Sequence, residues 1–200
     1  MDVTDWISSN FIEVFGAVTG ILYVILEIRQ NIWLWPVGIV TSAVYIWVFF
    51  TSKLYADMSL QGYYLIISIL GWFWWLRKRT GGGEGERGRL LIVTKLNLKT
   101  GIALSVIFAL LYVVMWQILD RVTDSPVPAG DAFIASLSII ATWMLARKII
   151  EHWYLWIIVN AGAALLFYSR GLYPTVILYI VYCAMSFVGL AEWRKTIRKQ

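Results

Sequence analysis

Seven long apolar stretches alternate with short polar segments along the chain. They cover roughly residues 11–28, 32–51, 58–76, 100–119, 131–147, 153–169 and 173–192. Each has at least about 17 residues, the length that an α-helix needs to cross the hydrocarbon core of a bilayer. Lipid offers no partner for unpaired backbone groups, so such stretches cross a membrane as helices. The pattern predicts an all-α integral membrane protein with seven transmembrane helices.

The composition agrees with a chain that is almost entirely membrane domain. Apolar residues make up 60% of the 200 residues and charged residues only 14%, against about 45–50% and 25% in soluble domains. The single cysteine, Cys183, cannot form a disulfide within the chain, and the single histidine, His152, cannot build a histidine-rich metal site. We therefore expect no metal and no cofactor, and we assign His152 to the membrane interface.

The basic residues are distributed unevenly between the two sides of the predicted spans. Fourteen lie on the side that holds loops 1–2, 3–4, 5–6 and the C-terminus, and only Lys53, Arg121 and Arg170 lie on the other. By the positive-inside rule the first side is cytoplasmic, which puts the N-terminus outside and the C-terminus inside. The basic residues flank apolar spans and do not form a soluble basic face, so no nucleic-acid partner is expected.

The sequence repeats itself after a shift of 118 residues. Residues 15–75 align with 133–193 without a gap, and 16 of the 61 positions are identical, including Trp35/Trp153 and Gly71/Gly189. Each unit holds three spans and the fourth span separates them, so both units face the same way. This predicts a 3+1+3 parallel repeat, an arrangement typical of transporters with a central substrate site. The predicted divisions are a first repeat (1–79), a cytoplasmic glycine-rich linker with helix 4 (80–130) and a second repeat (131–200).

The spans lack the groups that covalent chemistry or ion coupling would need. There is no HExxH or GxSxG motif, and the seventh span has no lysine for a retinal Schiff base. Coupled carriers usually bury carboxylates in the middle of the membrane. The acidic residues here lie at span ends: Glu13, Glu27, Asp57, Asp131, Glu151 and Glu192. We expect neither an enzyme nor an ion-coupled carrier, and a receptor would not need an internal repeat.

Aromatic and neutral polar side chains remain as candidates for a binding site. Trp153, Trp156 and Asn160 share one face of the sixth span, and Gln61 and Tyr64 share a face of the third. A buried amide in mid-span must bond another helix or a ligand, and both interpretations are open for Asn160. Stacked aromatic rings with amides and hydroxyls suit a flat, polar or cationic small molecule. The further candidates are Thr41, Ser42, Tyr45, Thr142 and Tyr182.

Several of these residue types also have a purely structural interpretation. Serine and threonine hydroxyls often bond the backbone of their own helix. Tryptophans near span ends usually anchor the chain in the membrane interface. We assign that anchoring role to Trp6, Trp33, Trp72, Trp74, Trp75 and Trp193.

Three segments carry a resemblance to a known family: ARKIIEHWYLWIIVN (146–160), LQGYYLIISILGWFWW (60–75) and NIWLWPVGIV (31–40). Over roughly residues 11–196 the chain resembles the PnuC family of nicotinamide riboside transporters. The resemblance implies a fold like that of SWEET sugar transporters, a homotrimer in the bacterial inner membrane, and uncoupled facilitated diffusion with cytosolic phosphorylation trapping the substrate. It implies that Gln61, Tyr64, Trp153, Trp156 and Asn160 bind the substrate. The alternatives are another vitamin, thiamine or riboflavin, or a sugar.

Overall fold

The computed structural model describes residues 11–51, 53, 55–77, 92–123 and 126–199. Each predicted apolar stretch is helical, which confirms the all-α class. Trp6 and the glycine-rich linker at 81–88 lie outside the described residues, and the division into domains stays a prediction. The helices are α1 (Phe11–Ile28), α2 (Leu34–Thr51), α3 (Tyr55–Arg77), α4 (Leu98–Val122), α5 (Pro128–Ala146), α6 (His152–Ser169) and α7 (Tyr173–Arg198).

The helix ends differ from the predicted spans where a helix continues beyond its apolar residues. Helix α5 begins at Pro128, because a proline in the first turn has no N–H that the helix would miss. Helix α4 begins after Asn97, whose side chain accepts a hydrogen bond from the Thr100 N–H at 2.7 Å. Helix α7 runs on through charged residues to Arg198. Hydropathy therefore located every helix but not its ends.

By hydropathy, five of these helices (α1, α2, α4, α5 and α7) are long and apolar enough to cross a membrane. Helices α3 and α6 are of similar length but are not among the five. Both are rich in tyrosine and tryptophan, and they carry Gln61 and Asn160, which lower the mean hydropathy. The two helices that are less apolar thus hold five of the ten candidate binding residues.

Six of the helices form a closed ring. Helix α1 packs against α2 and α7, helix α5 packs against α3 and α6, and the pairs α2–α3 and α6–α7 complete the circle. Helix α4 contacts only α5 among the described helices, so it lies outside the ring. Its side chains Ile102, Val106 and Leu110 are exposed, as expected for a surface that faces lipid.

Four buried tryptophans pack the end of the ring where α1 ends and α2 begins. Trp35 meets Trp75 edge-to-face at 5.4 Å, and Trp153 meets Trp193 in the same way at 5.9 Å. All four belong to one buried apolar cluster. We call this group the tryptophan layer.

The tryptophan layer corrects two of the assignments made from the sequence. Trp75 and Trp193 do not anchor the chain in the interface, because both are buried. Their indole N–H groups donate to the carbonyls of Ala146 and Glu27, at 3.2 and 3.1 Å, so the polar edge of each ring is satisfied inside the bundle. Trp33 is exposed, as an anchor would be.

The segment that leads into α4 closes over the same end of the ring. Thr94 pairs with the turn between α5 and α6: its N–H donates to the Lys148 carbonyl, and its carbonyl accepts from the Ile150 N–H, both at 2.9 Å. Val93 is buried in the cluster that contains the tryptophan layer. The loops at this end therefore add a further packed layer beneath the ring.

Candidate functional site

A cavity of about 300 Å³ lies inside the ring, and all six ring helices contribute to its wall. The period of an α-helix puts residues three, four and seven apart on one face, which is why candidates far apart in sequence meet here. Nine of the ten candidate residues lie in the wall: Thr41, Ser42, Gln61, Tyr64, Thr142, Trp153, Trp156, Asn160 and Tyr182.

Tyr45 is the one candidate that the structure does not bring into the described wall. Its hydroxyl is directed at α1, where it donates to the Ile12 carbonyl at 3.4 Å. Its ring packs over Gly16, where an added Cβ would overlap the phenol oxygen. Tyr45 therefore joins α2 to α1 and lies outside the described wall, and its assignment to the site stays a prediction.

Asn160 combines the two interpretations that the sequence left open. Its amide nitrogen donates to the hydroxyl of Ser186 on α7 at 3.1 Å, and Ser186 in turn donates to the Tyr182 carbonyl at 2.8 Å. Asn160 and Ser186 also both line the cavity. The amide holds α6 against α7 and is positioned to meet a ligand.

Two indole N–H groups in the wall lack a hydrogen-bond partner. The Nε1 atoms of Trp153 and Trp156 are buried and unpaired. An unpaired buried donor costs free energy, which a ligand with an acceptor atom would recover. Trp35, the repeat equivalent of Trp153, has the same unpaired Nε1 but does not belong to the wall.

The hydroxyls of α5 bond their own helix, as such residues often do. Thr142 donates to the Ser138 carbonyl and Ser138 to the Ile134 carbonyl, each at 2.8 Å. Their oxygens keep free lone pairs, so toward a ligand they act as acceptors.

Helix α1 contributes wall residues that the sequence analysis missed, among them Tyr23 and Glu27. They stand four residues apart, so one face of α1 carries both. The Tyr23 ring lies against Gly38 of α2, where an added Cβ would be only 3.1 Å from the ring. At the repeat-equivalent positions the large and the small side chain are exchanged. Ala141 on α5 corresponds to Tyr23, and Trp156 on α6 corresponds to Gly38.

Glu27 forms a buried contact with His152, whose assignment to the membrane interface is wrong. The His152 Nε2 lies 3.1 Å from the Glu27 Oε1, and both side chains are almost fully enclosed. The other ring nitrogen, Nδ1, lies 2.6 Å from the Ile149 carbonyl. With both ring nitrogens bonded inside the bundle, the imidazole has no need of water.

Apolar helices that form a ring around a cavity of aromatic and polar side chains define a multi-pass membrane transporter. The sequence matches the family described as "Nicotinamide mononucleotide transporter" over residues 10–195, and the chain belongs to that family. This confirms the prediction that the chain is a transporter of the resembled family and not an enzyme.

Individual relatives agree with the family. The nicotinamide riboside transporter PnuC of Escherichia coli is 26% identical over 96% of this chain and 88% of its own length. The riboflavin/roseoflavin transporter RibM of Streptomyces davaonensis is 22% identical over 90% of this chain and 83% of its own length. The crystal structure of the vitamin B3 transporter PnuC superimposes with a TM-score of 0.75, at 23% identity, over 98% of this chain and 86% of that one. At that identity the superposition speaks for the fold alone.

Proposed function

We propose that this chain carries nicotinamide riboside across the bacterial inner membrane. The observation that carries the proposal is the cavity wall, in which two tryptophans and several tyrosines surround two amides, Gln61 and Asn160, and a set of hydroxyls. The substrate is a flat cationic ring joined to a ribose. Aromatic faces attract such a ring, and amides and hydroxyls bond a ribose. Relatives named nicotinamide riboside transporters in Escherichia coli and Neisseria mucosa, each 26% identical, support this substrate.

The dimensions and donors of the cavity suit a nucleoside. Its volume of about 300 Å³ lies at the lower end of the range of roughly 300–1,000 Å³ for small-molecule sites. In this proposal Trp153 and Trp156 contact the ring, and their unpaired N–H groups donate to acceptor oxygens of the substrate. Asn160 and Gln61 bond the ribose. The remaining members of the proposed site are Thr41, Ser42, Tyr64, Thr142 and Tyr182.

The proposed architecture is a 3+1+3 parallel repeat, like that of SWEET transporters. Under the shift of 118 residues, α1, α2 and α3 correspond to α5, α6 and α7. The contacts α1–α2, α2–α3 and α1–α7 then correspond to α5–α6, α6–α7 and α5–α3, and all six contacts occur. The turns repeat as well: Gln30 and Lys148 have positive φ angles of 52° and 54°, and Lys53 and Gly171 have 59° and 73°. The position of α4 outside the ring fits its role as a connector.

The proposed topology has all seven helices crossing the membrane, with the N-terminus outside and the C-terminus in the cytoplasm. The support is the excess of fourteen basic residues over three on the side that holds the C-terminus. In this orientation the tryptophan layer lies at the cytoplasmic end, beneath the cavity.

The proposed transport is uncoupled, and phosphorylation in the cytosol then removes the free substrate. Among the described residues in the central turns of the spans there is no carboxylate that a driving ion could use. The assembly we propose is the homotrimer that the resemblance implies.

The substrate is tested by measuring the binding of nicotinamide riboside, thiamine, riboflavin and glucose to the same purified protein. We expect nicotinamide riboside to bind most tightly. The second candidate is riboflavin, which the likeness to the Streptomyces davaonensis transporter favours. Tighter binding of riboflavin would replace the first proposal by the second, and tightest binding of glucose would make the chain a sugar facilitator.

A further inference from the structure

The pair formed by Glu27 and His152 is the most deeply buried contact between ionisable groups in the described part of the chain. Glu27 is 2% exposed and His152 fully buried. Glu27 stands in the last turn of α1 and His152 in the first turn of α6, so the pair lies beside the cavity at the level of the tryptophan layer. Of the described residues that line the cavity, Glu27 alone carries a carboxylate.

The fold itself does not require this pair, because the chain packs the equivalent corner without it. A shift of 118 residues takes Glu27 to Leu145, and it takes Leu34 to His152. Leu34 and Leu145 are both fully buried in one apolar cluster. Replacing a buried ion pair by apolar side chains is often neutral or stabilising. Two leucines are sufficient to pack the equivalent corner. The ionisable pair at this corner therefore points to a role in chemistry rather than in packing.

The hydrogen-bond geometry fixes the number of protons in the pair. The Ile149 carbonyl can only accept, so the Nδ1 atom that lies 2.6 Å from it carries a proton. The contact of 3.1 Å between Nε2 and Oε1 then needs one further proton between them. That proton sits either on Nε2, as imidazolium and carboxylate, or on Oε1, as imidazole and carboxylic acid. Either way the pair as a whole is neutral.

The two members of the pair are placed unequally toward the cavity. Glu27 belongs to the cavity wall, and His152 does not. The imidazole lies behind it between the rings of Trp153 and Trp193, each 4.7 Å away between centroids. The acidic member thus borders the cavity, and the basic member lies behind it. The other titratable groups in the described wall are the phenols of Tyr23, Tyr64, Tyr179 and Tyr182.

We propose that the Glu27–His152 pair is the counter-charge for the cationic ring of the substrate and makes the cavity selective for a cation over a neutral molecule of the same shape. The inference rests on the proposed function. A positive charge in the cavity favours the proton on Nε2, because this leaves a full negative charge on the carboxylate that faces it. If the proton is on Oε1 in the empty cavity, it moves to Nε2 within the pair; in either case none is exchanged with solvent. The counter-charge is therefore compatible with uncoupled transport.

The test compares two ligands of one shape and different charge, nicotinamide riboside and its uncharged carbon analogue benzamide riboside. The wild-type protein should bind the cation more tightly. Glu27→Gln keeps a donor for the His152 Nε2 but removes the charge. This substitution should lower the ratio of the affinity for nicotinamide riboside to that for benzamide riboside by about tenfold or more. The whole change should come from weaker binding of the cation. The double variant Glu27→Leu/His152→Leu, which copies the Leu34/Leu145 corner, should do the same.

Two controls separate this inference from other causes. Glu151→Gln removes a carboxylate that accepts from the Leu96 N–H outside the cavity wall, and it should leave the ratio unchanged. Calorimetry in two buffers of different ionisation enthalpy should find no net proton uptake or release when the cation binds. Gel filtration and thermal melting establish whether each variant is folded. If the double variant does not fold, Glu27→Gln alone decides the question.

The outcomes are distinct. A wild-type affinity ratio in folded Glu27→Gln overturns the counter-charge and leaves the proposed function standing. Release of about one proton per bound cation overturns the internal proton shift. Failure of the wild-type protein to bind either riboside overturns the proposed function, and the inference with it.

Discussion

Trp35 and Trp153 stand 118 residues apart and occupy equivalent places, each with its ring over a glycine of the neighbouring helix. A Cβ at Gly71 or Gly189 would overlap the ring of Trp35 or Trp153 respectively. Both indoles are buried with an unpaired N–H, yet only Trp153 reaches the cavity. The two residues thus share a packing role. They differ in that only Trp153 is placed to contact a ligand in the cavity.

This relationship predicts different effects of the same substitution. Trp153→Phe removes the unpaired N–H of a wall residue and should weaken nicotinamide riboside binding by about 0.5–1.5 kcal/mol, roughly two- to tenfold. Trp35→Phe is the matched control and should leave the affinity within about twofold. Titration calorimetry on both folded variants measures the difference. Equal losses in the two would mean that the indole acts through packing.

Asn160→Ala should weaken binding by about 1–3 kcal/mol, because it removes an amide from the wall and leaves the Ser186 hydroxyl without its donor. The matched control is Asn97→Ala at the start of α4, outside the described cavity wall. That change should cost about 1 kcal/mol of stability through the lost helix cap and leave binding intact. Wild-type affinity in folded Asn160→Ala would remove Asn160 from the site.

The stability of the protein should depend on pH through Lys148, in the turn between α5 and α6. Its Nζ lies 4.3 Å from the centre of the Trp75 ring and 3.4 Å from the Gln30 Oε1. Burial lowers the pKa of Lys148 from 10.5 to about 8. Between those pH values the unfolded chain holds a proton that the folded chain lacks, so stability rises with pH across this window.

The variant Lys148→Gln isolates this effect, because glutamine stands at the equivalent position 30 with the same positive φ. Below pH 8 the wild-type protein bears the full cost of the buried charge, on the order of 3 kcal/mol. Thermal melting in detergent should therefore find the wild-type Tm rising from pH 7 to pH 9.5 relative to that of the variant. Parallel pH profiles would refute the buried charge.

The proposed topology predicts which loops are accessible from outside the cell. Gly83→Cys and Lys53→Cys, each made in a background with Cys183→Ala, provide single thiols on opposite sides. An impermeant thiol reagent should label Lys53→Cys on intact cells, and Gly83→Cys only after lysis. The reverse pattern would invert the orientation, and equal labelling on intact cells would mean that the span count is wrong.

Uncoupled transport predicts equilibration without accumulation. In sealed vesicles with purified protein and no kinase, internal nicotinamide riboside should approach the external concentration and stop there. An imposed pH or sodium gradient should leave that endpoint unchanged. Uphill uptake driven by either gradient would refute the uncoupled proposal and identify the driving ion.

The sequence was sufficient for the helices and for nine of the 21 described residues of the cavity wall. Apolar runs this long can be buried only in lipid, which is enough to predict the helices. The helical period puts Trp153, Trp156 and Asn160 on one face. Neither result requires knowledge of which helices pack together. The repeat added the expectation of a central site. Ser68, Tyr179 and Ser186 also line the cavity, as their shared faces with other candidates would suggest.

The contribution of α1 could not be predicted in the same way. Glu27 stands in the last turn of its helix, where a carboxylate normally meets water, and its partner His152 lies 125 residues further along the chain. Only the closure of the helix ring, which brings the end of α1 beside the beginning of α6, encloses the two. For the same reason Trp75 and Trp193 were taken for interfacial anchors, although carbonyls within the bundle accept their N–H groups.

The exchange of large and small side chains between the two halves gives the cavity a polarity. One half presents the Tyr23 phenol from α1 over Gly38, and the other carries Trp156 on α6 where its α5 counterpart is Ala141. A ligand between them meets a phenol on one flank and an indole on the other, although the backbone around it nearly repeats. The two flanks are therefore not interchangeable, and we expect a flat ligand to bind in one orientation in preference to the flipped one.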